Sequence, residues 1–89
     1  MVVVTSVVPG MTAELYNGMS VQMLPVIKTM PGFIAHAGMA IAGGFQVIEF
    51  WESQEHFDAW YNGTVKPAAA AAGLAPLMTY VPAENIITK

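Results

Sequence analysis

The sequence contains no cysteine and few charged residues. Without thiols, the chain can form no disulfide, no thiolate metal site and no cysteine nucleophile. Three Lys+Arg against six Asp+Glu give a net charge of -3, so the chain lacks the basic patch that nucleic-acid binding requires. Only 10% of its residues are charged, whereas a typical soluble domain carries about 25%.

Long uninterrupted apolar runs are also missing. The most hydrophobic stretch, residues 33–48, is broken by glycines and by polar residues, among them His36 and Gln46. A membrane-spanning helix needs about 20 consecutive apolar residues, so we expect no membrane partner. The first residues, Met-Val-Val-Val-Thr-Ser, lack the basic start of a secretory signal, and we therefore expect a cytoplasmic location.

Apolar residues, by contrast, are abundant. They make up 55% of the 89 residues, and seven of them are methionines. A chain of this length forms one domain, residues 1–89, and a domain of that size buries only about two-thirds of the surface that its unfolded chain exposes. The surplus apolar side chains therefore need a subunit interface, a ligand cavity or both.

The first half of the chain predicts a strand, a helix and a second strand. Val2–Val8 is rich in β-branched residues, as strands are. Thr12 can cap a helix whose apolar residues recur at helical spacing, and Pro25 predicts a kink or break near Leu24. Phe33–Ala42 is the next predicted strand.

The second half predicts a hairpin, a helix and a last strand. Gly43-Gly44 is a two-residue hairpin signal before the strand Phe45–Glu52. Ser53 can cap a second helix, which Pro67 should interrupt and Gly73 should end. The remaining predicted strand is Leu77–Val81.

The predicted order is β-α-β-β-α-β, which is the ferredoxin-like α+β fold with an antiparallel four-stranded sheet. In this fold the helices cover one face of the sheet and leave the other face bare. We expect the bare faces of two chains to pair and form a homodimer, since this would bury the surplus apolar residues.

Two segments resemble a known family. Residues 31–38, Pro-Gly-Phe-Ile-Ala-His-Ala-Gly, and residues 47–57, Val-Ile-Glu-Phe-Trp-Glu-Ser-Gln-Glu-His-Phe, with the Gly-Gly hairpin between them, resemble dimeric α/β-barrel proteins of the antibiotic-biosynthesis-monooxygenase type, in particular small uncharacterised bacterial members. The resemblance implies a homodimer whose two sheets build one barrel, with a pocket between sheet and helices in each subunit. Some members of this family are cofactor-free oxygenases that act on polyketide-like phenols, and others bind and degrade haem.

The haem-degrading branch of the family needs an Asn on the first strand, a Trp at the end of the third strand and a His late in the second helix. Trp51 matches the Trp, but the first strand has Thr5 and Ser6 at the place of the Asn. The late-helix position falls in Ala68–Ala72, where there is no His. The comparison therefore disfavours haem degradation.

His36 and Glu49 are the candidate catalytic residues. His36 lies in the middle of a predicted strand, and its imidazole could accept a proton from a phenol or an activated carbon. Its alternative role is that of a partly buried histidine satisfied by a neighbour. Glu49 lies between apolar residues, where a carboxylate must be paired, hydrogen-bonded or protonated; alternatively, it points outward or forms an ion pair at the dimer interface.

Aromatic side chains are the candidate substrate-binding residues. Strand alternation puts Trp51 on the same sheet face as Glu49, and aromatic rings could line a flat site for a planar ligand. The candidates for this lining are Trp51, Phe57, Trp60 and Tyr61, and those for contact with a substrate hydroxyl are Tyr16 and Tyr80. Ordinary core or rim positions are the alternative for all six. The two histidines, His36 and His56, lie on separate segments, so we expect no metal site.

These observations favour a cofactor-independent monooxygenase with a small aromatic or polyketide-like substrate and no metal or organic cofactor. Two alternatives stay open. One is a cofactor-free isomerase or cyclase on the same fold. The other is a non-catalytic homodimer that binds a small hydrophobic ligand, or that fills its own pocket with Trp and Met side chains.

Overall fold

The computed structural model describes residues 1–89. Its elements are β1 (Val2–Pro9), α1 (Ala13–Ile27), β2 (Phe33–Ile41), β3 (Gly44–Trp51), α2 (Gln54–Trp60), α3 (Lys66–Ala71) and β4 (Leu77–Pro82), with one π-helical turn (Tyr61–Val65) between α2 and α3. The predicted β-α-β-β-α-β order is confirmed. None of the helices combines the length and the hydropathy that crossing a bilayer requires.

The four strands form one sheet in the order β2-β3-β1-β4, and every neighbouring pair is antiparallel. The central strand β1 pairs Val4 with Glu49 of β3 on one side and with Tyr80 of β4 on the other. Residues opposite each other in a sheet point to the same face. Val4, Glu49 and Tyr80 therefore share one face, and this is the face that the helices cover.

The core lies between this face and the helices. Its larger cluster joins buried residues of β1, α1, β3 and α2: Val2, Val4, Ile27, Trp51, Phe57 and Trp60. A smaller cluster at the other end of the sheet comprises Val8, Met11 and Phe45. The cavity described below borders both clusters.

Both predicted helix caps are present. The Thr12 hydroxyl accepts a hydrogen bond from the Leu15 N–H at 3.1 Å, and the Ser53 hydroxyl accepts one from the His56 N–H at 3.2 Å. Each hydroxyl satisfies an amide that has no partner within its helix.

No break occurs near Leu24, because α1 continues through Pro25 to Ile27; the alternative, a kink at this point, stays a prediction. Ile27 is only 2% exposed, and Leu24 packs against the larger core cluster. Burial of this last turn therefore outweighs the hydrogen bond that Pro25 cannot donate.

The hairpin between β2 and β3 turns one residue earlier than predicted. Its turn residues are Ala42 and Gly43, and Gly44 already pairs with Ile41. Gly43 has a φ of 75°, which favours glycine. Gly44 is needed for a different reason, since a Cβ there would collide with the Val8 carbonyl oxygen.

The second helical region departs from regular α-helix before Pro67 rather than at it. The Lys66 N–H donates to the Tyr61 carbonyl, five residues back, which makes the turn between them π-helical. Pro67 then lies in the first turn of α3, where its missing N–H costs little. Gly73, with a φ of 73°, follows the end of α3 as predicted.

Candidate functional site

A cavity of about 90 Å³ lies between the sheet and the helices. Of the 19 residues that line it, 14 are hydrophobic. Polar side chains reach it mainly from the sheet and from α1: Ser6, Tyr16, Ser20, His36 and Glu49. This is a largely apolar space with a few polar groups on its wall, as small-molecule sites usually are.

His36 and Glu49 lie directly opposite each other on β2 and β3. The His36 Nδ1 atom is 2.7 Å from Glu49 Oε2, and the Trp51 Nε1–H donates to Glu49 Oε1 at 2.9 Å. Both carboxylate oxygens thus have a partner, which explains how Glu49 can be only 6% exposed. The sheet register creates this arrangement, because it puts all three side chains on the covered face.

The hydrogen-bond pattern also determines which His36 nitrogen is basic. An ionised carboxylate only accepts hydrogen bonds, so the proton of the neutral ring belongs on Nδ1 and the lone pair on Nε2. The Tyr16 hydroxyl lies 2.5 Å from that Nε2 atom and donates to it. Tyr16, His36, Glu49 and Trp51 therefore form one continuous hydrogen-bond chain.

Tyr16 reaches His36 because the strand beneath its ring carries no side chain at Gly38. The ring stacks on Phe45, with centroids 4.2 Å apart and an interplanar angle of 22°. A Cβ at Gly38 would lie 2.6 Å from Cζ of Tyr16. The sequence interpretation did not single out Gly38, although a glycine within a strand often marks such a close approach.

Three more of the predicted substrate-binding residues line the cavity beside Tyr16: Phe57, Trp60 and Tyr61. Trp51 and Tyr80 lie outside the lining. Trp51 is 0% exposed, and its contact with Glu49 gives it a supporting position behind the cavity wall. The catalytic and substrate-binding roles of all eight candidates stay predictions.

Tyr80 packs edge-on against Phe57, with ring centroids 5.8 Å apart. Burial raises the pKa of the Tyr80 hydroxyl above its ordinary value, and the nearby Asp58 and Tyr61 raise it further. Its ring therefore stays neutral to higher pH than that of a solvated tyrosine.

The second histidine, His56, belongs to the start of α2. Its Nδ1 atom is 2.7 Å from the Ser53 hydroxyl, and a Cβ at Gly32 would collide with its ring. No three His, Asp or Glu side chains of the chain converge on one point.

Comparison with known proteins identifies the fold. No family model matches the sequence, and no curated protein matches it. Solved structures, by contrast, match along nearly the full chain. SnoaB, a cofactor-independent oxygenase from Streptomyces nogalater, is 14% identical with a TM-score of 0.72, and the match covers 99% of this chain and 97% of that one.

Two further solved structures contain a bound molecule. The ActVA-Orf6 monooxygenase of Streptomyces coelicolor, solved with nanaomycin D, is 17% identical with a TM-score of 0.61, and the match covers 99% of this chain and 90% of that one. A point mutant of MhuD, solved with two manganese protoporphyrin IX molecules per active site, is 19% identical with a TM-score of 0.70, and the match covers 100% of both chains.

At these identities the similarity concerns the fold alone. The resemblance noted in residues 31–57 is confirmed at that level, and the chain has the ferredoxin-like fold of the antibiotic-biosynthesis-monooxygenase type of protein.

Proposed function

We propose that this protein is a cofactor-independent monooxygenase that oxidises a small aromatic or polyketide-like substrate in the cavity. The observation that carries the proposal is the hydrogen-bond chain from Tyr16 through His36 and Glu49 to Trp51, which presents a basic nitrogen at an apolar wall. The fold shared with SnoaB, a cofactor-independent oxygenase, and with the ActVA-Orf6 monooxygenase supports it.

In this mechanism His36 is the general base. Its Nε2 atom takes a proton from a substrate hydroxyl or an activated CH₂ group, and Glu49, 2.7 Å from Nδ1, stabilises the imidazolium that forms. Trp51 holds the carboxylate in place through its N–H. General bases positioned in this way contribute about 10²- to 10⁴-fold to a rate.

The anion of the substrate then supplies the electrons for oxygen. A new carbon–oxygen bond forms to O₂, the O–O bond breaks, and one oxygen atom stays on the carbon as a carbonyl. The other leaves as water with the two hydrogens of the original CH₂ group, one of them carried by His36. The substrate is oxidised and dioxygen is reduced, so the reaction needs no reductant other than the substrate. The apolar lining contributes positioning and exclusion of water.

Porphyrin chemistry, suggested by the structure of MhuD with bound porphyrin, does not fit the residues present. Helix α3 and the residues after it, 66–73, contain no histidine. The first strand also has Thr5 and Ser6 where the haem-degrading members have an Asn. The residues present therefore do not support haem degradation.

The proposal includes a homodimer formed through the sheet faces that the helices leave bare. A second candidate function is a non-catalytic module that binds a small hydrophobic ligand, favoured by the 14 hydrophobic residues among the 19 that line the cavity. An isomerase or cyclase would use the same base, His36, without consuming oxygen.

Oxygen uptake tests the proposal directly. With a single-ring phenol and an anthrone-like phenol as substrates, each carrying an activated CH₂ group, we expect the protein to consume oxygen with at least the smaller one and His36→Gln to lower kcat at least ~10²-fold. His56→Gln is the matched control, because it changes the other histidine, which lies outside the cavity lining, and it should keep activity. Full activity in His36→Gln would eliminate His36 as the base. Binding without oxygen uptake or product would favour the binding module, and product without oxygen uptake would favour the isomerase.

A further inference from the structure

The cavity is too small for the ligand that the proposed function requires. Its volume is about 90 Å³, whereas an engineered apolar cavity that binds benzene measures about 150 Å³. Within this space even a ligand with one ring needs a lining side chain to move, although a more open cleft lined by Leu24, Phe33 and Ala35 also borders His36. The identity of that side chain determines what can bind.

Three of the large side chains in the lining are held in the core. Met11, Phe57 and Trp60 are 7%, 3% and 3% exposed, and each belongs to one of the two core clusters. Tyr16 is only partly buried, as are Met19, Met23 and Tyr61, but of these four it is the one that bonds His36, and it lies in the first turn of α1. A rotation of its side chain would open the cavity, and within the two buried clusters it would uncover the ring of Phe45, on which Tyr16 stacks.

Tyr16 is itself a phenol in the position of a ligand. Its hydroxyl donates to the basic nitrogen of His36, and its ring lies flat on Phe45 above the bare backbone of Gly38. A hydroxyl donor, a planar ring and a stacking platform are the elements with which a protein would recognise a small phenol.

We propose that Tyr16 is an internal stand-in for the substrate: it occupies the subsite in which the hydroxyl of a single-ring phenol or enol binds His36, and it swings out when that ligand enters. The incoming hydroxyl replaces the Tyr16 hydroxyl on Nε2, and the incoming ring replaces the Tyr16 ring on Phe45. The inference deepens the proposed function, since it restricts the substrate class, but the exchange itself is a binding event that requires no oxygen chemistry.

The proposal predicts that the loss of one hydroxyl from the cavity wall increases the affinity for a phenol instead of lowering it. Tyr16→Phe keeps the ring but removes the hydrogen bond that holds the closed state, so a competing phenol should bind more tightly. One hydrogen bond of ordinary strength corresponds to an increase in affinity of about three- to tenfold. A tyrosine that served as a fixed contact for the ligand would give the opposite result.

The experiment is a titration with 4-nitrophenol, whose visible absorbance changes when it binds to a base. We expect Tyr16→Phe to bind the probe about three- to tenfold more tightly than the unaltered protein, and His36→Gln to bind it at least ~tenfold more weakly. Ser20→Ala is the matched comparison, because it removes another hydroxyl from the lining without a bond to His36, and it should give no gain. 4-Nitrotoluene lacks the hydroxyl, so we expect the unaltered protein and His36→Gln to bind it with the same affinity.

Equal or weaker binding by Tyr16→Phe would overturn the stand-in role, and so would an absence of binding in all variants. The expected pattern of affinities together with no oxygen uptake would support the subsite and reject the monooxygenase. The two proposals therefore fail on different measurements.

Discussion

At the scale of single residues, Glu49 shows what the sequence can and cannot predict. A carboxylate between Ile48 and Phe50 had to be paired or hydrogen-bonded, and this follows from the cost of burying a charge. Its partners, His36 across the strand pair and Trp51 two residues along, depend on register. Strand alternation put Trp51 on the correct face, but only the pairing of β2 with β3 brings His36 to the carboxylate.

The hydrogen bond from Trp51 leads to a prediction about stability. Trp51→Phe leaves one oxygen of a buried carboxylate without a donor, which costs about 1–3 kcal/mol in addition to the lost packing. Trp60→Phe is the matched control, since Trp60 is also buried, at 3% exposed, and does not contact Glu49. Urea denaturation should show a lower free energy of unfolding for Trp51→Phe than for Trp60→Phe.

A double substitution separates the hydrogen bond from packing. If the unsatisfied oxygen causes the difference, combining Trp51→Phe with Glu49→Gln should destabilise the protein by less than the sum of the single changes. Equal costs for the two Trp→Phe variants would mean that the 2.9 Å contact contributes nothing measurable to stability.

At the scale of secondary-structure elements, the residues that cap helices could be predicted from the sequence, whereas the points at which helices are interrupted could not. The caps at Thr12 and Ser53 and the left-handed Gly73 were predicted correctly because each depends on one residue and its nearest amides. A break at Pro25 does not occur, and the interruption expected at Pro67 lies before it. Whether a helix continues through Pro25, or changes its hydrogen bonding before Pro67, depends on what its next turn packs against.

The two caps differ in a way that can be tested. Ser53 accepts the backbone N–H of His56 and also contacts its ring nitrogen at 2.7 Å, whereas the Thr12 hydroxyl accepts only one backbone N–H, at an exposed position. Replacing a cap by Ala costs about 0.5–2 kcal/mol. Thermal unfolding should therefore place the Tm of Ser53→Ala below that of Thr12→Ala, and the reverse order would show that the His56 ring contributes nothing to the cap.

At the scale of the whole molecule, the fold was predictable and the cavity was not. The alternation of hydrophobic and turn residues predicted the element order and a sheet with one face covered by helices, but it did not determine that His36 and Glu49 lie on the covered face. The volume of about 90 Å³ results from the sum of many side-chain positions. No pattern in the sequence predicts this volume. The contact of Tyr16 with His36 could not be predicted either, because it depends on the packing of α1 over Gly38.

The sheet face opposite the helices is the other feature of the whole molecule that calls for an explanation. The register of the strands places mostly apolar side chains on it: Val3, Thr5, Val7, Ala35, Ala37, Met39, Ile41, Gln46, Ile48, Phe50, Leu77, Thr79 and Val81. Leu77 and Val81 are 63% and 55% exposed. Contiguous apolar patches of this kind usually mark an interface, and this supports the proposed homodimer.

A charge in the middle of this face should separate the dimer. Ile48 lies on β3 opposite Thr5 of β1 and Ala37 of β2, so Ile48→Lys places an ammonium group at the centre of the patch while the core on the other face keeps its packing. In sedimentation velocity at low micromolar concentration, we expect twice the chain mass of 9.5 kDa for the unaltered protein and the chain mass for the variant. Val21→Lys is the matched control and should remain a dimer, because Val21 lies on α1 and is 77% exposed.

Because burying an unpaired charge costs several kcal/mol per subunit, Ile48→Lys cannot remain dimeric at this concentration if the bare faces pair. A dimeric Ile48→Lys would place the interface elsewhere, and a monomeric unaltered protein would mean that no second copy covers this face.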